Sequence, residues 1–159
     1  MINFNGSLFP ENKEILTSKN RGLKYGDALF ETLRCVNGTL FFWEDHYFRL
    51  MASMRMLRME IPMQFTLEFL EDEIKKTIKE NGFENKAVRV RLTVFRNEGG
   101  LYAPETNDIS YIIETKLLDS PFYIINESDY EVELFKDYYV NKDMLSNLKT
   151  TNKILNVVA

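Results

Sequence analysis

The run from Lys24 to Met59 constrains the fold of this chain more than any other stretch, because its period changes in the middle. Phe30 to Val36 is rich in β-formers, Asn37-Gly38 is the pair that accepts positive φ at both central turn positions, and Thr39 to Trp43 runs back. The spacing predicts a hairpin. Directly afterwards Tyr47, Leu50, Met51, Met54 and Leu57 recur every three or four residues, as one face of a helix does. That helix is expected to start near Glu44-Asp45, with either carboxylate as its cap. His46, Arg49 and Ser53 form a polar column beside the apolar stripe. Arg49 reads in two ways, as a solvated helix arginine or as a guanidinium held by a packed helix to receive a phosphate or carboxylate.

Around this run the pattern is mixed α and β. Ile2 to Phe4 and Ser7 to Phe9 flank Asn5-Gly6 and read as a short opening hairpin, while residues 11 to 24 are polar and read as an irregular connection. Thr66 to Asn81 carries Leu67, Leu70, Ile74 and Ile78 at helical spacing, with Glu71/Lys75 and Asp72/Lys76 one turn apart and Asn81-Gly82 as a left-handed stop. Ala87 to Arg96 alternates strictly: Val88, Val90, Leu92 and Val94 point one way, and Arg89, Arg91, Thr93 and Phe95 the other. The arginine face is either the exposed side of an antiparallel sheet or the wall of a cleft where an arginine grips a carboxylate. Asn97 to Asn107 reads as a loop, and its Gly99-Gly100 pair lacks the strand-loop-helix setting of a phosphate loop.

Ile109 to Leu117 is a further strand, and Leu118 to Pro121 breaks the pattern, giving a domain boundary. The expected organisation is a small α+β domain over 1–118, a linker over 119–129, and the incomplete start of a second domain over 130–159. The small domain has a mostly antiparallel sheet flanked by two helices. Beyond the linker, Tyr130 to Phe135 reads as a short strand, and a helix is expected near Thr150 or Thr151 with Ile154, Leu155 and Val158 as its stripe, so the chain ends inside a helical pattern.

With 45% hydrophobic and 13% aromatic residues, 159 residues are ample for a folded core. The net charge of −4 argues against a nucleic-acid partner, and no apolar run approaches the roughly 20 residues that span a bilayer. One cysteine and one histidine make neither an internal disulfide nor an ordinary zinc site, and a cytoplasmic setting is the default. Cys35, inside a strand pattern, reads as a small buried residue.

The block NRGLKYGDALFETLR, followed by the NG turn and EDHYFRL, resembles the N-terminal half of the class IV aminotransferases, the fold type IV enzymes of pyridoxal 5'-phosphate (PLP). That family includes branched-chain and D-amino acid aminotransferases and aminodeoxychorismate lyase. The resemblance makes Arg49, in His46-Tyr47-Phe48-Arg49-Leu50, the arginine that binds the cofactor phosphate. It makes Lys149, in NLKTTNKILNVVA, the lysine that bonds to the cofactor and moves the substrate's α-proton; spacing alone leaves Lys149 one lysine among many. Tyr25 and Phe30, from the YG-x-x-x-F segment, would line the substrate pocket, although Tyr25 also reads as a half-buried packing aromatic. Arg91 and Arg96 match the family's substrate-recognising positions best, with Arg89 in place of Arg91 if the match shifts by two residues.

The function implied is transfer of an amino group between an amino acid and a 2-oxo acid, with branched-chain amino acids among the candidates, by a homodimer whose first half is represented here. The family's glutamate against the cofactor's ring nitrogen would lie beyond Ala159, so this chain alone is expected to be inactive. The alternatives are the lyase of the same family, since FRNEGG after the arginine strand resembles the lyase or a general class IV member, and a non-catalytic α+β module whose Arg89/Arg91 face binds a partner or small anion.

Overall fold

The computed structural model describes residues 1–125, 131–137, 139 and 142–159. Its centre is one antiparallel sheet with strand order β2-β1-β6-β5-β3-β4. The strands are β1 (Ile2–Phe4), β2 (Ser7–Phe9), β3 (Ala28–Val36), β4 (Thr39–Leu40), β5 (Ala87–Arg96) and β6 (Ile109–Leu117). Strict alternation fixes which way each long strand faces, because a slip of one residue would turn every side chain to the opposite side. Leu29, Leu33 and Cys35 of β3 and Val88, Val90, Leu92 and Val94 of β5 are buried beneath the helices. Phe30, Thr32 and Arg34 pair in register with Thr93, Arg91 and Arg89 on the open face.

Helices α2 (Trp43–Met56) and α3 (Leu67–Glu80) lay their apolar stripes on the buried face, with Leu50, Met51 and Met54 from one and Leu70, Ile74 and Ile78 from the other. Each fully covered side chain of this kind contributes about 1.5–3 kcal/mol. The start of α3 follows from its sequence: Thr66 Oγ1 accepts from Phe69 N at 3.1 Å, and Glu71 pairs with Lys75. The other anticipated pair is absent, since Lys76 bonds Glu73 and the carbonyl of Gly6 instead of Asp72.

The start of α2 differs from the expectation. The return strand is only β4, two residues long, and the helix begins at Trp43 without any side-chain cap. Phe42 takes a left-handed conformation, φ 56°, and swings the chain directly from sheet to helix. Neither Glu44 nor Asp45 caps; both lie in the first turn, where negative charge favours the exposed N–H groups. Residues 11 to 24 also hold more structure than their polarity implies. Asn20 Oδ1 accepts from Leu23 N at 2.9 Å and starts a short helix, α1 (Arg21–Tyr25), which Gly26 ends at φ 66°.

Beyond Leu117, the described part of the expected strand, residues 131–135, is not a strand, and Tyr130 lies outside the described residues. The last helix, α4 (Ile154–Val158), starts later than expected, and its stripe is not buried: Ile154 and Val158 are exposed and Leu155 is half-buried. The residues just before it leave the helical pattern because they pair with the sheet. Phe30 N donates to Lys149 O at 2.9 Å, Thr151 N donates to Ala28 O at 3.0 Å, and Leu148 enters the core. This short return lies along the edge of β3 that β4 leaves uncovered.

Candidate functional site

Glu31 stands at an inward position of β3, between Leu29 and Leu33, and its side chain is only 2% exposed. A carboxylate there must be paired to stay ionised. Arg49, on the side of α2 facing this strand, supplies a two-pronged bond, Nε to Oε1 at 2.7 Å and Nη2 to Oε2 at 2.6 Å. His46, one turn earlier, places Nδ1 2.8 Å from Oε2. Lys149, held by its backbone at the β3 edge, brings Nζ to 3.6 Å from the same oxygen. The third member of the predicted polar column, Ser53, instead donates to the carbonyl of Arg49 at 2.7 Å.

Burial alone would push the Glu31 carboxyl up. The hydrogen bonds from Arg49 and His46 and the charges of Arg49 and Lys149 outweigh it, holding the group below the usual carboxylate range. The Glu31 hydrogen bond in turn raises the Arg49 guanidinium. An ionised carboxylate only accepts, so His46 Nδ1 carries its proton here, and the 3.0 Å approach of Arg49 Nη2 to that nitrogen sets two donors side by side. Two basic side chains on one carboxylate leave positive charge in excess. The Arg49 side chain is 45% exposed, and among the described residues its Nη1 has no hydrogen-bond partner. Lys149 Nζ makes no hydrogen bond among the described residues either, and its side chain is 33% exposed.

The open face meets this cluster at Phe30. Its ring lies between Lys149 Nζ, 5.2 Å from the centroid, and Arg91 Cζ, 3.9 Å from it. Burial lowers the Arg91 guanidinium; Glu114 raises it and Arg89 lowers it further. Arg49, Lys149, Phe30 and Arg91 are therefore neighbours through Glu31 and Phe30.

Tyr25 and Arg96 stand apart from them. Tyr25 packs on Tyr102, with Arg21 Cζ 4.9 Å above its ring, beside a cavity of about 600 Å³ that Asn152 and Arg96 also line. Arg96 is buried, and its donors go to Asp27 Oδ2 at 2.9 Å, Leu57 O at 2.7 Å, Arg58 O at 3.3 Å and Asn107 Oδ1 at 2.5 Å. Arg21 joins the same Asp27 oxygen at 2.9 Å.

Glu31 is the residue that sequence reasoning missed. The signal was present: a lone carboxylate in the apolar register of a strand demands buried partners, and the polar column of the next helix supplies them. Among the described residues, no group of three or more histidine, cysteine, aspartate or glutamate side chains is placed to hold a metal.

The chain is similar to known proteins over most of its length. A D-alanine aminotransferase of Staphylococcus haemolyticus is 26% identical over 89 residues, 56% of this chain and 31% of that protein. A putative branched-chain-amino-acid aminotransferase of Methanocaldococcus jannaschii is 32% identical over 100 residues, 63% of this chain and 33% of that protein. The chain thus spans about a third of the length of these curated relatives. Among solved structures, the T.th. branched-chain amino acid aminotransferase complexed with N-(5'-phosphopyridoxyl)-L-glutamate superposes with a TM-score of 0.64 at 25% identity, covering 74% of this chain and 40% of that one. The family model described as amino-transferase class IV matches residues 28–159, which takes in β3, α2 and Lys149 together, and the chain belongs to that family.

Proposed function

We propose that this chain supplies the phosphate-side and lysine-side groups of a PLP-dependent site that transfers an amino group between an amino acid and a 2-oxo acid. The observation that carries the reading is the convergence of Arg49 and Lys149 on one oxygen of Glu31. The donor set fits the cofactor: a guanidinium aimed by Glu31 with an unused Nη1 suits a phosphate, and a partly covered amine without a hydrogen bond suits a covalent link. When bound, PLP supplies an electron sink for negative charge at the substrate's α-carbon.

The protein's own groups then have separate tasks. Arg49 binds and orients, and Glu31 keeps its fork from turning to solvent. Lys149 takes the substrate's α-proton at Nζ and returns it, held 3.6 Å from Glu31 Oε2. Phe30 shields one side of the amine from water, and Arg91 beyond the ring is set to bind a substrate carboxylate. Tyr25 lines the neighbouring cavity, and the bonds made by Arg96 support a role in holding the 57–58 and 107 segments. A homodimer in the cytoplasm completes the proposal; among the described residues no helix is long and apolar enough to cross a membrane.

Reductive trapping tests this reading. The chain is incubated with PLP, reduced with borohydride and mapped by peptide mass. The expected result is label on Lys149 that falls at least tenfold in Arg49→Ala. Label spread over other lysines, or unaffected by that substitution, overturns it.

A further inference from the structure

The sequence contains three Asn-Gly pairs, Asn5-Gly6, Asn37-Gly38 and Asn81-Gly82. An asparagine before glycine can lose its amide without an enzyme, because the next backbone nitrogen can reach the side-chain carbonyl carbon and glycine brings no Cβ to obstruct the approach. The fold decides which pair reacts. The amide must turn, the nitrogen must leave its acceptor, and the local backbone must open.

Asn5 and Asn37 occupy the same kind of turn, at φ 50° and 49°, and the glycines after them stand at 84° and 77°. Backbone conformation therefore does not separate these two, whereas hydrogen bonds do. Asn5 Oδ1 accepts from Tyr111 N at 2.8 Å, its Nδ2 donates to Ser110 Oγ at 3.0 Å, and Gly6 N donates to Asn3 Oδ1 at 2.9 Å. Asn81 is held in a similar way: its Nδ2 donates to Thr77 O and Thr115 Oγ1, each at 3.0 Å, and Gly82 N donates to Lys79 O at 2.8 Å. Asn37 is exposed, and among the described residues its side chain makes no hydrogen bond. Gly38 N faces the Cys35 sulfur, a weak acceptor.

The turn at Asn37 is also lightly held. Two residue pairs, Cys35 with Leu40 and Val36 with Thr39, join β4 to β3, and a Cβ at Gly38 would meet nothing within 4 Å. At Gly6 the same position meets Tyr111 Oη at 3.5 Å and Glu73 Oε2 at 3.7 Å. We propose that Asn37 is a self-modification site, converting to aspartyl and isoaspartyl residues while Asn5 and Asn81 stay intact. Gly38 N forms a bond to Asn37 Cγ, and its proton leaves with the side-chain amide as ammonia. Water then opens the cyclic imide: breaking the bond from Cγ to nitrogen leaves an aspartyl residue, and breaking the bond from the backbone carbonyl carbon leaves an isoaspartyl one. One water is consumed and one ammonia released, with no change of oxidation state. The new carboxylate lies beside a cavity of about 250 Å³ that Gly38 shares with Lys75 and Lys79, whose charges favour its ionised form. The isoaspartyl chain runs through Cβ, so the turn gains a backbone atom and the short register of β4 is disturbed.

The test incubates this chain at mildly alkaline pH in water carrying a heavy oxygen isotope and maps each Asn-Gly pair by peptide mass. Methyl transfer by an isoaspartyl methyltransferase is the second readout. Heavy oxygen is expected to enter at Asn37 at least tenfold faster than at Asn5 or Asn81, with methyl acceptance confined to the peptide that holds Asn37. In urea, where the bonds that hold Asn5 and Asn81 are gone, the three rates are expected to converge. Asn37→Gln is expected to remove the fast phase of labelling and the methyl acceptance. Equal rates at the three pairs in the folded chain, faster reaction at Asn5 or Asn81, or a preference for Asn37 that persists unchanged in urea overturns the proposal.

Discussion

Glu31→Gln tests how the site is held together. The wild-type carboxylate accepts twice from Arg49 and once from His46, and Lys149 stands at 3.6 Å. Glutamine keeps the shape but one of its two ends becomes a donor. If its carbonyl takes the crowded Oε2 side, its amide faces Arg49 Nε, and a charge-assisted bond becomes a meeting of two donors. Breaking a fully buried ion pair costs about 3–5 kcal/mol. Arg49 is half-exposed and regains water, so the expected loss is nearer the 1.5–3 kcal/mol of a hydrogen bond to a charged group, about 2 kcal/mol. In a domain of this size that lowers Tm by about 4–8 °C.

The pH dependence carries the sign. The folded pKa of Glu31 is depressed, so its stabilisation is complete above the unfolded carboxyl value of about 4.3 and is lost as pH falls through the lower folded value. Urea denaturation of both proteins from pH 7 to pH 3 is therefore expected to show a gap of about 2 kcal/mol that closes below about pH 4. Equal stabilities at pH 7, or a gap that persists unchanged at pH 3, would refute this account of Glu31.

Two further outcomes follow from the packing. Leu148→Ala is expected to cost about 2–4 kcal/mol in denaturant and to speed hydrogen exchange at the Phe30 and Thr151 amides, since Leu148 anchors the return beside β3; unchanged exchange there would separate the anchor from the pairing. Arg96→Lys is expected to lose about 2–3 kcal/mol, because a single ammonium cannot serve Asp27, Leu57, Arg58 and Asn107 together, while PLP labelling of Lys149 in the folded protein stays unchanged. A variant of full stability would return Arg96 to the list of groups free to meet a substrate.

Regular periodicity made much of the fold legible. The alternation of β5, the stripe of α3 with its Thr66 cap, and the Asn37-Gly38 turn each leave a local mark, and each element occupies the expected place. What local pattern hides is the result of competition between neighbours. Trp43 reads as a strand residue, yet its burial under the helix layer and the left-handed joint at Phe42 start the helix there. Thr150 and Thr151 read as a helix start, but the open edge of β3 takes their backbone first. Arg21 to Tyr25 looks irregular because its helix is short and contains Gly22, and only the Asn20 cap shows its beginning. In the site, the chemistry of Arg49 and Lys149 was suggested by resemblance, whereas Glu31 became visible only when β3 and α2 were packed together.

The central claim is that Arg49 and Lys149 address opposite ends of one cofactor. A crystal structure of this chain soaked with PLP addresses it most directly. The account predicts phosphate density within hydrogen-bond distance of Arg49 Nη1 and density continuous from Lys149 Nζ to the cofactor, with Glu31 still paired to Arg49 Nε. A phosphate bound elsewhere while Arg49 and Lys149 keep their present partners would contradict it.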